Sequence, residues 1–385
     1  MKIRASQVLV FMAILSLGSA CADPLDISNL RISDTPITLG EWFTVSFDYK
    51  GVAEKYALEN TYETARGEVK REVREFLLKP EAKGRVAGQI SLRWRVENPN
   101  VRPYRIFKIW AMSGEGTRSN VLSAEVKVIK PLPGEEVKIP MDLKTIFGTK
   151  SVKLSTTIFK PTGGEKGPLL VLNHGTPMGE DARKKVTPDK EQGRIFARKG
   201  FAVALPVRRG HGRSEGDYAE YSGDCNNSDY DNAAREAVKD IRAAVEYMKK
   251  ESYVDTGRKI LLVGQSTGGF SSLAYASAYP EEVMAVINFA GGKGRVAPFK
   301  VCNEERLIDT MGSFGKTFKG PTLWVYTEQD DYFEPRLSRK IFETYKGEGG
   351  AGRFVTFSSE FGHGFFSKAT KTWEPVIDAF LKEIH

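Results

Sequence analysis

The chain changes hydropathic rhythm once, at Pro131-Leu132-Pro133-Gly134, and that change constrains its fold more than any other feature. Before it, from Asp23 to Pro131, short runs alternate apolar and polar residues, as in Trp42-Phe43-Thr44-Val45-Ser46-Phe47-Asp48-Tyr49, Gln89-Ile90-Ser91-Leu92-Arg93-Trp94-Arg95-Val96 and Val121-Leu122-Ser123-Ala124-Glu125-Val126-Lys127-Val128. A period of two, broken by turn sequences such as Asn98-Pro99-Asn100 and Ser113-Gly114-Glu115-Gly116, puts alternate side chains on the buried face of antiparallel strands. About 110 residues of this pattern predict a β-sandwich, immunoglobulin-like in size. The stretch Thr64 to Leu78, dense in Glu, Lys and Arg, fits a helix or a charged strand pair. No Ser, His and Asp constellation stands out in this half.

After the break, strands and helices alternate, the pattern of a mostly parallel sheet covered on both faces. Candidate strands are Val152 to Phe159, Leu169 to Asn173, Phe201 to Pro206, Lys259 to Val263, Val283 to Phe289, Thr322 to Tyr326 and Phe354 to Phe357. Candidate helices include Asp229 to Lys250 and Thr267 to Tyr279, the latter stopped at Pro280. Continuous apolar runs such as Ile260-Leu261-Leu262-Val263 fit burial on both faces.

The first residues read as neither domain. Lys2 and Arg4 precede the apolar run Val8 to Leu17, and Ala20-Cys21-Ala22 offers the small-x-small pattern of a leader cleavage site. That run is too short to span a bilayer, which takes about 20 residues. The expected organisation is a signal peptide over 1–22, a β-sandwich over 23–131 and an α/β domain over 132–385, secreted or periplasmic, without a transmembrane segment. An acylated Cys21 is the alternative, disfavoured by Gly18 where such sites carry Leu. The formal net charge of +8 is spread along the chain and clusters nowhere that argues for nucleic acid. Past the leader only Cys225 and Cys302 remain, an even pair that predicts one disulfide in an oxidising compartment, two buried thiols being the alternative.

Chemistry at serine needs a histidine to take the hydroxyl proton and a third group to orient that histidine. Gly264-Gln265-Ser266-Thr267-Gly268 leaves a buried strand and opens a helix, so it predicts a sharp turn that exposes the Ser266 hydroxyl as nucleophile. The same helix start turns the backbone N–H of Thr267 towards the site, as one donor for a developing oxyanion. The second donor is expected from Gly175 or Thr176, in the loop after the strand Leu169 to Asn173. His174 is read as a structural residue of that loop. The histidines and cysteines give no metal-ligand spacing, and no cofactor is expected.

These motifs resemble those of the α/β-hydrolase superfamily, within it the dienelactone hydrolase-like and serine aminopeptidase-like branches. The resemblance covers about residues 135 to 385 and rests on His174-Gly175, Arg209-Gly210-His211-Gly212-Arg213-Ser214, Gly264-Gln265-Ser266-Thr267-Gly268-Gly269, Asp330 and Gly362-His363-Gly364. It implies an α/β-hydrolase fold and a triad in the order Ser, acid, His. Of the two histidines after Ser266, His385 ends the chain, which leaves His363 as the base. The family pattern puts the acid at Asp330, with Asp331 and then Glu328 as alternatives. Arg208 and Arg209 are either a carboxylate-holding wall of the cleft or arginines solvated or paired internally, the second being favoured. The segment between Phe289 and Thr322 is too short for a large lid domain. The implied activity is hydrolysis of a small-molecule or oligomeric carboxylic ester. A peptidase or amidase using the same triad is the runner-up, with Glu215, Asp217 or Glu220 to hold a free amine. A non-catalytic binding protein acting through the β-sandwich is a third reading.

Overall fold

The computed structural model describes residues 24–384 except 34–36, 40–41, 65, 79–86, 97–100 and 147. The expected leader over 1–22 with Cys21, the Asn98-Pro99-Asn100 turn and His385 lie outside the described residues. The chain forms two compact units, Met1–Pro131 and Leu132–His385.

The first unit is all β. Asp26–Ile32, Trp42–Lys50 and Ala87–Arg95 make an antiparallel three-stranded sheet, and a second sheet runs Ile37–Thr38, Leu122–Ile129, Val101–Met112, Lys55–Thr64, Val69–Leu77. Phe43, Val45, Phe47 and Tyr49 are buried while the residues between them are not, so the two-residue rhythm becomes a buried face. That face meets Tyr56, Leu58, Phe107 and Ile109 of the other sheet in one core. Edge-on ring contacts tie the two together, Phe43 to Phe107 at 5.6 Å and Phe47 to Tyr56 at 5.9 Å. The ambiguous stretch Thr64 to Leu78 is a strand, Val69–Leu77, reached through a tight turn closed by Thr64 N–H to Glu68 C=O at 2.8 Å. All its side chains but Phe76 are exposed, so no buried face imposes a rhythm on its sequence.

The second unit holds an eight-stranded sheet, here β1 (Glu135–Thr145), β2 (Gly148–Phe159), β3 (Leu169–Asn173), β4 (Ala202–Pro206), β5 (Ile260–Gln265), β6 (Val283–Phe289), β7 (Thr322–Thr327) and β8 (Arg353–Phe357). Their spatial order is β1-β2-β4-β3-β5-β6-β7-β8. β1 and β2 form a hairpin, β2 pairs antiparallel with β4, and every other pairing is parallel. β1 adds a strand to those expected, with Val137, Ile139, Met141 and Leu143 alternating directly after the proline break.

Helices cover both faces of this sheet. On one side lie α2 (Tyr230–Met248), α3 (Thr267–Ala278) and α4 (Pro335–Gly347), packed on Leu169, Val171 and Leu262; on the other lie α1 (Lys190–Arg198) and α5 (Thr370–Ile384), packed on Leu170, Leu172 and Leu261. Successive residues of one strand thus go to opposite cores, which is why the central strands are apolar throughout. α5 buries Trp373, Ile377, Phe380 and Leu381, a helical stripe in which each side chain contributes about 1.5–3 kcal/mol by leaving water. Trp373 also donates its indole N–H to Phe366 C=O at 2.8 Å. Phe366 packs on both Phe289 and Trp373, at 4.5 and 5.5 Å between ring centres, and so anchors the short helix Phe365–Lys368, which begins two residues after His363. Cys225 and Cys302 are bonded, with their Cα atoms 4.6 Å apart across 77 positions of sequence. No helix among the described residues is long and apolar enough to cross a membrane.

Candidate active site

Ser266 stands between β5 and α3 with φ 58° and ψ −126°, a conformation L-residues avoid at a cost of about 1–3 kcal/mol. Its neighbours hold it there. Ser266 N–H donates to Phe289 C=O at 2.9 Å, and its own C=O accepts from the N–H groups of Gly269, Phe270 and Gly292 at 2.9 to 3.2 Å. The turn needs its glycines: a Cβ on Gly264 would lie 2.2 Å from the Gly268 backbone, one on Gly268 2.0 Å from Asn173 C=O, and one on Gly269 2.0 Å from Asn288 Oδ1. The chain can therefore bend hard enough to leave a serine at the carboxyl end of β5.

Ser266 and His363 line one cavity of about 340 Å³, whose wall also includes Gly175, Thr176, Asp189 and Tyr332. No hydrogen bond joins Ser266 to His363, and His363 Nε2 is buried without a partner. Catalytic contacts are commonly long before substrate binds. On the other side of the ring, His363 Nδ1 stands 3.2 and 3.0 Å from the two carboxylate oxygens of Asp330. Asp330 is itself buried, and its Oδ1 accepts from the backbone N–H of Tyr332 at 2.7 Å and Phe333 at 3.1 Å. The imidazole lies flat on the Tyr332 ring, 3.9 Å between centres, and its backbone C=O accepts from Gln265 Nε2 at 2.8 Å. Arg295 covers the opposite face of Tyr332 at 3.7 Å.

The alternatives for the acid point elsewhere. Asp331 has a side chain 41% exposed and lies 3.6 Å from Arg295, and Glu328 is exposed. Of the expected oxyanion donors, Thr267 precedes the first intrahelical bond, Phe270 N–H to Ser266 C=O, so its N–H is one of the free donors of the helix start. Gly175 passes so close that a Cβ there would lie 3.0 Å from the Ser266 Cβ. His174 also borders the cavity, and it supports that loop with both ring nitrogens: its Nε2 accepts from Arg208 N–H at 3.0 Å and its Nδ1 bonds Gly175 C=O at 2.7 Å. An imidazole that accepts a backbone hydrogen bond is neutral, and burial, with Arg208 and His211 nearby, holds His174 well below the ordinary histidine range.

The arginine loop is paired internally. Arg208 bonds Glu220 through Nε and His174 C=O through Nη2 at 2.9 Å; Arg209 binds Asp240 at 2.5 Å and Glu236 at 2.9 Å. Glu220 is thereby spent on Arg208, Glu215 accepts Lys153 N–H at 3.0 Å, and the exposed Asp217 lies 3.8 Å from Lys150. None of the three lines the cavity, and no residue from 290 to 321 does. Among the lining residues to which the sequence assigns no role are Gln265, inside the glycine-serine motif itself, and Tyr332, two places after Asp330. Asp189 also lines it, accepting from Ser367 Oγ at 2.7 Å.

Residues 170–298 match the hydrolase family described as serine aminopeptidase, S33. The chain is 30% identical over 127 residues to a bifunctional esterase/perhydrolase of Acinetobacter calcoaceticus, an alignment that takes in 33% of this chain and 37% of that protein. Among solved structures it is similar to an esterase of Pyrococcus furiosus, with TM-score 0.47 and 14% identity over 66% of this chain and 90% of that one. It is also similar to an acylaminoacyl peptidase of Pyrococcus horikoshii, with TM-score 0.45 and 15% identity over 92% of this chain and 56% of that one. The order of the eight strands and the strand–turn–helix at Ser266 give the second unit of this chain an α/β-hydrolase fold, and the family match falls within that unit.

Proposed function

We propose that the protein is an exported serine hydrolase that cleaves carboxylic esters. Ser266 Oγ attacks the acyl carbon while His363 Nε2 takes its proton, and Asp330 holds the proton on Nδ1 and stabilises the imidazolium. The oxyanion of the tetrahedral intermediate is stabilised by the N–H groups of Thr267 and of Gly175 or Thr176. Collapse expels the alcohol, protonated by His363. Water, activated by the same imidazole, then attacks the acyl-enzyme and releases the acid. The observation that carries this reading is the open side of His363: its Nε2 has no partner and its ring borders the Ser266 cavity, while Asp330 occupies Nδ1.

An ester is favoured over a peptide with a free amino terminus because Glu215, Asp217 and Glu220 are engaged outside the cavity, leaving Asp189 as its one lining carboxylate among the described residues. Export is supported by the Cys225–Cys302 bond together with the leader pattern of the first 22 residues. Fluorophosphonate labelling tests the nucleophile: folded wild type should label and Ser266→Ala should not. Rates on p-nitrophenyl esters of graded chain length beside aminoacyl p-nitroanilides test the substrate class. Labelling that survives Ser266→Ala would end the assignment of Ser266 as nucleophile, wild type that does not label would end the enzyme reading, and faster turnover of the anilides would end the ester reading.

A further inference from the structure

The five-stranded sheet of the first unit ends in Val69–Leu77, a strand that among the described residues has a neighbour on one side only. Proteins normally blunt such edges by making them short, by placing proline in them or by charging them, and charges blunt an edge only against a strand whose own charges do not match. This one is nine residues long, contains no proline, and is exposed at every residue but Phe76. Its hydrogen-bonding phase follows from the hairpin it belongs to. Thr64 N–H bonds Glu68 C=O at one end and Leu78 N–H bonds Glu54 C=O at the other, and between them Glu59 faces Val73. Residues bonded to the inner neighbour alternate with residues whose N–H and C=O point away. Even-numbered positions therefore bond inward, and Val69, Arg71, Val73, Glu75 and Leu77 turn their backbone groups to the free edge.

Val69-Lys70-Arg71-Glu72-Val73-Arg74-Glu75-Phe76-Leu77 is its own complement when two copies lie antiparallel about Val73. Arg71 then faces the partner's Glu75, Glu72 faces the partner's Arg74, and Val69 faces the partner's Leu77. Only Lys70, opposite the partner's Phe76, lacks a matched residue. The centre of this symmetry falls on an outward-bonding residue, so the register that matches the charges also matches the free N–H and C=O groups. Opposite charges directly across a ladder attract, and like charges there repel. Several of these charges are already held in place: Glu72 accepts from Tyr62 Oη at 2.6 Å, Arg74 lies 4.8 Å over the Trp94 ring, and Glu75 pairs with Lys55 at 2.8 Å. On the outer face, Val69, Val73 and Leu77 are 65%, 51% and 75% exposed, and the same register sets them against one another.

We propose that this edge is a homodimer interface, in which two copies pair Val69–Leu77 about a two-fold axis at Val73 and join their five-stranded sheets into one. A contact of this kind is isologous and closes on itself. Sedimentation of the purified protein across a concentration series tests it, with far-UV circular dichroism and fluorophosphonate labelling as checks of folding. Wild type should sediment as a dimer. Val73→Pro removes only an outward-pointing N–H, which an edge strand tolerates, and should give a folded monomer. Arg71→Glu sets like charges across both symmetry-related pairs and should raise the dissociation constant at least tenfold or so, and Arg71→Glu with Glu75→Arg should recover most of that loss. A wild type that is monomeric at its highest soluble concentration would overturn the proposal. So would a dimer that withstands both Val73→Pro and Arg71→Glu, since its interface would lie elsewhere.

Discussion

Asp330 and Asp331 are adjacent in sequence and differ in what they face, so the pair Asp330→Asn and Asp331→Asn isolates the orienting role proposed for Asp330. In Asp330→Asn the amide oxygen still satisfies Tyr332 N–H and Phe333 N–H, now 2.7 and 3.1 Å from Oδ1, so the loop keeps its shape. The amide NH₂ then lies where Oδ2 is, 3.0 Å from His363 Nδ1, and two donors cannot share that contact. The ring resolves the clash by moving its proton to Nε2, the atom proposed to accept from Ser266. A wrong tautomer with intact geometry costs about 10⁴ in kcat, or roughly 5 kcal/mol of transition-state stabilisation. Asp331→Asn loses only a half-exposed contact at 3.6 Å to Arg295, worth under about 1 kcal/mol, so its rate should stay within a few-fold of wild type. Initial rates on p-nitrophenyl acetate, with thermal midpoints to show that both variants fold, decide the matter. The reasoning fails if Asp331→Asn is the more damaged enzyme, or if Asp330→Asn keeps a tenth of the wild-type rate.

Opening the Cys225–Cys302 bond frees a loop spanning 77 positions and should cost up to about 4.5 kcal/mol by the chain-entropy estimate, roughly 10 °C or more in midpoint for a domain of this size. Calorimetry with and without reductant measures it, and identical midpoints would refute it. Burial pushes His211 down to about 4 from an ordinary 6.5, and His174 moves the same way, so the unfolded chain takes up protons before the folded one. Stability from these residues is complete above pH 6.5 and is lost as pH falls towards 4, on the order of 3 kcal/mol for His211 alone. His211→Gln should flatten that slope in urea titrations run from pH 7 to pH 4; an unchanged slope would show that His211 does not contribute.

Patterns tied to a buried face were legible in the sequence, and those that depend on distant partners were not. Ile260-Leu261-Leu262-Val263 and the helix after Ser266 are buried on every side, so composition alone reports them. Val69–Leu77 is exposed on both faces, and its charges serve a helix as well as a strand, so only pairing with Lys55–Thr64 decides. At the site, the glycine-serine turn is a local steric problem with a local solution, readable from spacing. Gln265 was hidden because its amide reaches His363 C=O across 98 positions, a contact no local pattern encodes. Tyr332 was hidden for a related reason: stacking on His363 depends on where the loop after β8 returns.

The arginine loop shows how such distant contacts build a site without lining it. Arg208 is fully buried, and it reaches His174 twice, through its backbone N–H to Nε2 and through its guanidinium to the C=O. His174 in turn bonds Gly175 C=O, and Gly175 runs so close to Ser266 that a Cβ on it would lie 3.0 Å from the Ser266 Cβ. Glu220 holds the guanidinium from behind, because Arg208 and Lys293 keep it ionised against the pull of its own burial. Breaking such a buried pair from one side costs about 3–5 kcal/mol, so the pair makes the position of Arg208 hard to change. The chain of contacts runs from a buried carboxylate through Arg208 and His174 to the loop proposed to bind the oxyanion. It requires a neutral His174, since a protonated Nε2 has no lone pair left for Arg208 N–H. The acid lability expected of the fold is therefore expected of the active site as well, through the same imidazole.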